Sequence, residues 1–270
     1  MSDFLAKHYT PSDFTAWSED NRLDTRVGQV EFLTTCRFID RYLQPGARIL
    51  EVGAASGKYS HHYARQGYQV DAVDIVPFHV EKFRAATLPG EMATITLGDA
   101  RDLSAFGDGV YDVTLILGPL YHLFTEADKK QVIAEALRVT KPGGVLFAAY
   151  CISDASLFDQ GFKRQGFSIT EMIRIGLVDP VTFRARSNEA LVFELVRKED
   201  IDALMAGFPV RRLHYVATDL YAHHMIPELN AMTEEMFALY LRYHFSVCER
   251  GDMAGLSHHV LDVFRKEGTA

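Results

Sequence analysis

The chain has 270 residues, 48% of them hydrophobic and 24% charged, with a net charge of −8 at pH 7. That is apolar material for a large buried core, and the acidity argues against a bulk nucleic-acid backbone as partner, which favours a basic face. The three cysteines, Cys36, Cys151 and Cys248, are too few and too scattered for a disulfide framework or a zinc cluster, and they suit a reduced cytoplasm.

In chain order, the start MSDFLAKHYT lacks the apolar run of a signal peptide. No apolar stretch is long enough to span a bilayer, so a cytoplasmic protein without membrane contact is expected. Residues 11–44 read as helical, with Phe32, Cys36, Ile39 and Leu43 at core-facing spacing, and Pro45-Gly46 ends the run. Strands are predicted at 47–52, 69–74, 92–97, 111–117 and 144–151, and helices at 57–66, 77–87 and 126–140. The last helix is stopped by Lys141-Pro142-Gly143-Gly144. Such alternation predicts an α/β fold with a mostly parallel sheet covered on both faces.

After Tyr150 the rhythm breaks. Residues 153–206 carry helical patterns with aromatic-rich pieces. Phe208–Val216 reads as a strand, 227–250 as a helix serving either as core or as dimer surface, and His258–Arg265 as a final strand.

The most informative stretch is RILEVGAASG, Arg48–Gly57. A strand ends in Glu51, a turn of small residues follows, and a helix begins. Small residues let a ligand approach the backbone, and a helix N-terminus offers N–H groups to an anion. The next strand ends in Asp74, an acid suited to ribose hydroxyls. Together these features predict a nucleoside-containing cofactor. A P-loop needs four residues between its glycines and then Lys-Ser or Lys-Thr. Here three residues separate Gly53 from Gly57, and Tyr59 follows Lys58. The dinucleotide fingerprint fails too, because Ala55 and Lys58 stand where its second and third glycines belong.

The spacing Glu51-x-Gly53-x-x-x-Gly57 resembles the first motif of the class I S-adenosylmethionine (SAM) methyltransferases, with Ala55 at the middle glycine. Further segments follow in the family's order: Asp74-Ile75, Gly98-Asp99-Ala100, the strand from Asp112, and Lys141-Pro142-Gly143-Gly144. The run Leu117-Gly118-Pro119-Leu120-Tyr121-His122 resembles a small-molecule group within that family, as do the segment from Val30 to Thr35 and the ending Gly255 to His259.

The resemblance implies a Rossmann-like, doubly wound mixed sheet of seven strands. Its last strand would be antiparallel between the fifth and sixth, and a helical lid would lie between strands five and six. It divides the chain into a helical cap (1–44), a SAM-binding core (45–152), a lid (153–206) and a completion of the sheet (207–270). It further implies that Glu51, Gly53, Ala54 and Gly57 face the methionine part of SAM. Asp74 and Ile75 would hold the ribose and adenine face, Asp99 and Ala100 the adenine edge, and Leu117 and Gly118 the region of the methyl group. His122 stands by motif at the reacting centre as a general base or as a loop-ordering residue. Tyr121 is expected to wall the pocket or to bind substrate. S-adenosylhomocysteine (SAH) would be the product.

No metal is expected. The paired histidines His61-His62, His223-His224 and His258-His259 are neighbours in sequence, and neighbours point to different faces. The implied reaction is in-line transfer of the SAM methyl to an O, N or S atom of a small molecule. Most of its acceleration would come from positioning. Phe4, Tyr9 and Trp17 are aromatic residues that the N-terminal segment could fold over the site. An RNA or protein acceptor, a SAM-binding regulator without turnover, and aminopropyl transfer are the alternatives.

Overall fold

The computed structural model describes residues 5, 9, 22–163, 168–187 and 192–268. Phe4, Trp17 and residues 11–21 of the predicted 11–44 helix lie outside the described residues. The first long helix, α1 (Arg26–Ile39), is capped by Thr25, whose side chain accepts from the Gly28 N–H. Its buried residues include Val27 and Val30, which pack with Ala222, Leu229 and Phe237, and Phe38 and Ile39, which join the core against the sheet.

Then come β1 (Arg48–Val52), α2 (Lys58–Arg65), β2 (Gln69–Asp74), α3 (Pro77–Ala86), β3 (Ala93–Leu97), β4 (Tyr111–Ile116), α4 (Glu126–Val139) and β5 (Thr140–Ile152). These bounds fall within a few residues of the sequence-based ones. The Lys-Pro-Gly-Gly run differs in detail. It stops α4, but the strand resumes at once on Thr140, which pairs with Tyr111 before Val145 pairs with Val113. The four residues are therefore a bulge inside β5, with Gly143 at φ 77°. Lys141 ties the bulge to Asp112 at 2.7 Å.

Beyond β5 the described insertion holds α5 (Ser153–Leu157), a π-helical turn (Phe158–Lys163), α6 (Ile169–Arg174), the two-residue β6 (Leu195–Val196) and α7 (Lys198–Met205). After it come β7 (Val210–Ala217), α8 (Ile226–Ala231), α9 (Glu234–Val247) and β8 (His259–Lys266). The predicted helix 227–250 is two helices. Met232 is extended, and Thr233 starts the second helix by accepting from the Met236 N–H.

The sheet runs β3-β2-β1-β4-β5-β8-β7, with β6 paired to the end of β5. Strands β1 to β5 are parallel, and β8 is antiparallel to both neighbours, as the resemblance implies. The expected seven strands become eight only through β6. Adjacent strand residues feed opposite faces. Leu115, Phe147 and Val263 pack with Phe38, Ile39 and Tyr63 on one side. Ile116, Leu146 and Phe264 pack with Val132, Ile133 and Ile201 on the other. The order reverses between β1 and β4, and in open α/β sheets a ligand crevice opens outside the strand ends at such a point. Among the described residues no helix is long and apolar enough to cross a membrane.

Candidate active site

A cleft opens at that reversal, over the carboxyl ends of β1, β2 and β4. Its lining includes Glu51, Gly53, Ala54, Asp74, Ile75, Asp99, Ala100, Leu117, Gly118, Tyr121 and His122. Gly57 does not line it. It is the N-terminal cap of α2, with φ 87°, and a Cβ there would lie 2.4 Å from the Phe83 ring. Its role is to turn the chain tightly into the helix, which only glycine does without strain. Gly53, at φ 74°, lies so close to Pro119 that a Cβ would meet the proline ring at 2.6 Å. The loop after β4 thus rests directly on the loop after β1.

Glu51 is 2% exposed and turns away from solvent. Its Oε2 accepts from the Ser60 N–H at 2.9 Å and from the Ser60 hydroxyl, which fixes the start of α2. Burial pushes its carboxyl up to about 7, the Ser60 bonds offsetting only part of that cost. Asp74 closes the next strand. Its Oδ2 accepts from the Ala55 N–H at 2.8 Å, and its Oδ1 from the Val76 N–H at 2.9 Å and His79 Nδ1 at 3.2 Å. Ala55 itself takes φ 49°. Burial opposes ionisation of Asp99, but Arg101 outweighs it and holds the carboxyl low, gripping it through both side-chain oxygens.

The Pro119–His122 segment is a 3₁₀ turn that aims two aromatic side chains into the cleft. The Tyr121 hydroxyl donates to the Leu117 carbonyl at 3.0 Å, closing the turn on itself. His122 Nδ1 lies 2.8 Å from the Val192 carbonyl and Nε2 lies 3.2 Å from the Tyr9 hydroxyl. A carbonyl only accepts, so Nδ1 carries a proton, and in the neutral ring Nε2 is the nitrogen left to accept from the Tyr9 hydroxyl. Phe193 packs on both rings, with centroids 5.3 Å from His122 and 5.7 Å from Tyr121. The insertion after β5 therefore reaches the residues singled out at the end of β4.

Sequence reasoning missed His79, Arg22 and Tyr59, which also line the cleft. His79 lies five residues beyond Asp74, on the first turn of α3, a spacing that could have drawn notice. Arg22 and Tyr59 carry no local signal. Arg22 leads to a second polar cluster, since it binds Glu31 through both guanidinium branches. Glu31 lies 3.6 Å from His259 Nδ1, and His259 meets the fully buried Asp219 at 2.7 Å. Burial works against the charge on His259, but Glu31, Cys151 and Asp219 raise its basicity well above the ordinary imidazole.

Residues 50–148 match the family model described as a methyltransferase domain. This part of the chain is a methyltransferase domain. Over 108 residues it is 33% identical to a ubiquinone biosynthesis O-methyltransferase of Xanthomonas campestris, a match covering 40% of this chain and 44% of that protein. The chain thus spans less than half the length of the curated relatives it matches first.

Two solved structures share the fold of this methyltransferase domain and its additions. One is a SAM-dependent methyltransferase from Methanosarcina mazei, with a TM-score of 0.56 and 20% identity, covering 86% of this chain and 98% of that one. The other is a 1,6-didemethyltoxoflavin N1-methyltransferase from Burkholderia thailandensis, solved with its substrate and SAH. Its TM-score is 0.57 at 14% identity, covering 99% of this chain and 87% of that one. SAM is the cofactor of the family.

Proposed function

We propose that the protein transfers the SAM methyl group to an O, N or S nucleophile of a small molecule held between the cleft and the insertion after β5. The observation that carries this reading is His122. One nitrogen of its ring is tied to the insertion at Val192, and the other is presented to a hydroxyl inside the cleft.

In this reading SAM lies along the cleft. The loop from Gly53 takes the methionine end, Asp74 the ribose, Ile75 the adenine face, Asp99 and Ala100 the adenine edge, and Leu117 and Gly118 border the sulfonium. Glu51 and Gly57 act through the loop, the former by holding Ser60 and the latter by turning into α2. The sulfonium already activates the methyl, so the protein's main task is to align nucleophile, carbon and sulfur. The acceptor takes the place of the Tyr9 hydroxyl on His122 Nε2, which receives its proton as the methyl arrives. Tyr121 walls the pocket and holds the turn. Residues 1–44 act as a cap and 153–206 as a lid that excludes water, while 45–152 and 207–270 build the sheet.

Two measurements test this. Calorimetry with SAH should show binding to the wild-type protein and binding about 10–100-fold weaker in Asp74→Ala, the loss of charge-assisted hydrogen bonds. Unchanged affinity removes Asp74 from the cofactor site. Incubation of extract metabolites with methyl-labelled SAM should label a small molecule, and His122→Ala should slow that transfer by about 10²–10⁴-fold. Label appearing only in RNA or protein overturns the small-molecule reading. SAH binding without any labelled acceptor favours a regulator.

A further inference from the structure

Outside the cofactor cleft, two neighbouring side chains, Asp219 and His223, meet His259 from about 40 residues further along the chain at one oxygen. Asp219 follows β7 and is fully buried. His259 opens β8, in register with Cys151 at the end of β5. His223 lies on the 3₁₀ turn Ala222–Met225 between them. His259 Nδ1 is 2.7 Å and His223 Nε2 is 3.3 Å from the same carboxylate oxygen, Asp219 Oδ2. The three donor atoms all lie within 4.8 Å of one another.

The other carboxylate oxygen is spoken for. Asp219 Oδ1 accepts from the Ser257 hydroxyl and from the His258 N–H at 2.8 Å. This arrangement fixes the carboxylate plane and leaves Oδ2 aimed at the two imidazoles, as outer partners do for metal ligands. His258 stacks on His223 with ring centroids 4.4 Å apart, which holds that ring in place.

We propose that Asp219, His223 and His259 form a binding site for a divalent first-row transition ion of the zinc or cobalt class. Two imidazoles and one carboxylate are the donor set such ions prefer, whereas magnesium and calcium take oxygen ligands. The imidazole side chains of His223 and His259 are 17% and 22% exposed, which leaves an entry path from solvent. An ion with bonds of about 2.0–2.2 Å would part His259 Nδ1 and Asp219 Oδ2 from their 2.7 Å contact, with all three donor atoms already within 4.8 Å of one another. The paired histidines do not chelate as pairs. The pairs His223-His224 and His258-His259 contribute one ring each, and the fold brings the two together.

The test is a titration of chelator-treated full-length protein with cobalt(II). The site predicts one equivalent bound at micromolar concentration, visible ligand-field absorption, and a higher Tm in the presence of the ion. His223→Gln, a partly exposed position, should fold with a wild-type circular dichroism spectrum and lose both the absorption and the Tm shift. His62→Gln, on α2 and away from the cluster, should keep both. Absence of saturable cobalt binding overturns the proposal and leaves the cluster as a proton-bridged ion pair. So does binding that His223→Gln leaves unchanged.

Discussion

Glu51 pairs an acidic side chain with almost complete burial, and this gives it a consequence for stability. Its carboxyl lies at about 7 in the folded chain against an ordinary 4.5. Below the ordinary value both states are protonated and folding carries no penalty. As pH rises from the ordinary value to the folded value the penalty grows to roughly 2–4 kcal/mol, and above the folded value it is level. Glu51→Gln can still accept from Ser60, so the variant should gain on the wild type between pH 5 and 8. Urea unfolding of both proteins measures the difference, which cancels other titrating groups such as Asp262. A difference that is flat with pH removes Glu51 from this role. At Gly53, alanine would put a methyl 2.6 Å from Pro119 at a φ of +74°. We expect Gly53→Ala to cost about 1–3 kcal/mol and to weaken SAH binding as the two loops separate. Calorimetry and urea midpoints check both effects.

At the scale of elements, alternation and turn chemistry made β1 to β5 and the helices between them legible, because each local signal agreed with the tertiary arrangement. The exceptions have physical causes. Leu195–Val196 is too short to carry a period, and it is a strand only because the end of β5 offers Cys151 and Ile152 as partners. The Met232-Thr233 break hides in an otherwise helical run, since threonine serves both inside helices and as a cap. In the cleft, the residues on the loops after β1 and β2 were readable from spacing and those after β3 and β4 from the motif resemblance, whereas Arg22, Glu31, Asp219 and His259 converge through contacts between separate parts of the chain. The insertion is held over the cleft by Glu194, whose N–H donates to the Tyr121 carbonyl at 2.7 Å and whose carboxylate binds Lys129 Nζ at 2.8 Å. Those side chains are only 13% and 16% exposed. Lys129→Ala should therefore loosen the lid, raising the KM for the acceptor about 3–10-fold while SAM affinity stays unchanged. A fall in SAM affinity of equal size argues that the pair supports the whole cleft instead.

For the whole molecule, the core predicts its own chemical protection. All three cysteines are buried, and burial pushes the thiol of Cys36 up to about 12 and that of Cys248 up to about 11. Only the thiolate reacts readily. The native protein should therefore resist a thiol-exchange reagent at pH 8 and release three equivalents once unfolded in guanidinium. Fast reaction of any thiol in the native state would show that the structure opens locally at that position.

The place of β8 bears on how the chain is made. It is the last strand in sequence, yet it sits inside the sheet between β5 and β7. On the ribosome β7 emerges with its β8-facing edge unpaired, and that edge waits through the 41 residues between Ala217 and His259. At a synthesis rate of about 5–20 residues per second this is a delay of roughly 2–8 seconds. During that interval β5 and β7 both expose backbone groups to any passing strand, including the β8 of another copy. The protein should thus be most prone to misassociate before synthesis of β8 is finished, and slowing translation across residues 218–258 should lower its soluble yield more than the same delay placed after residue 266.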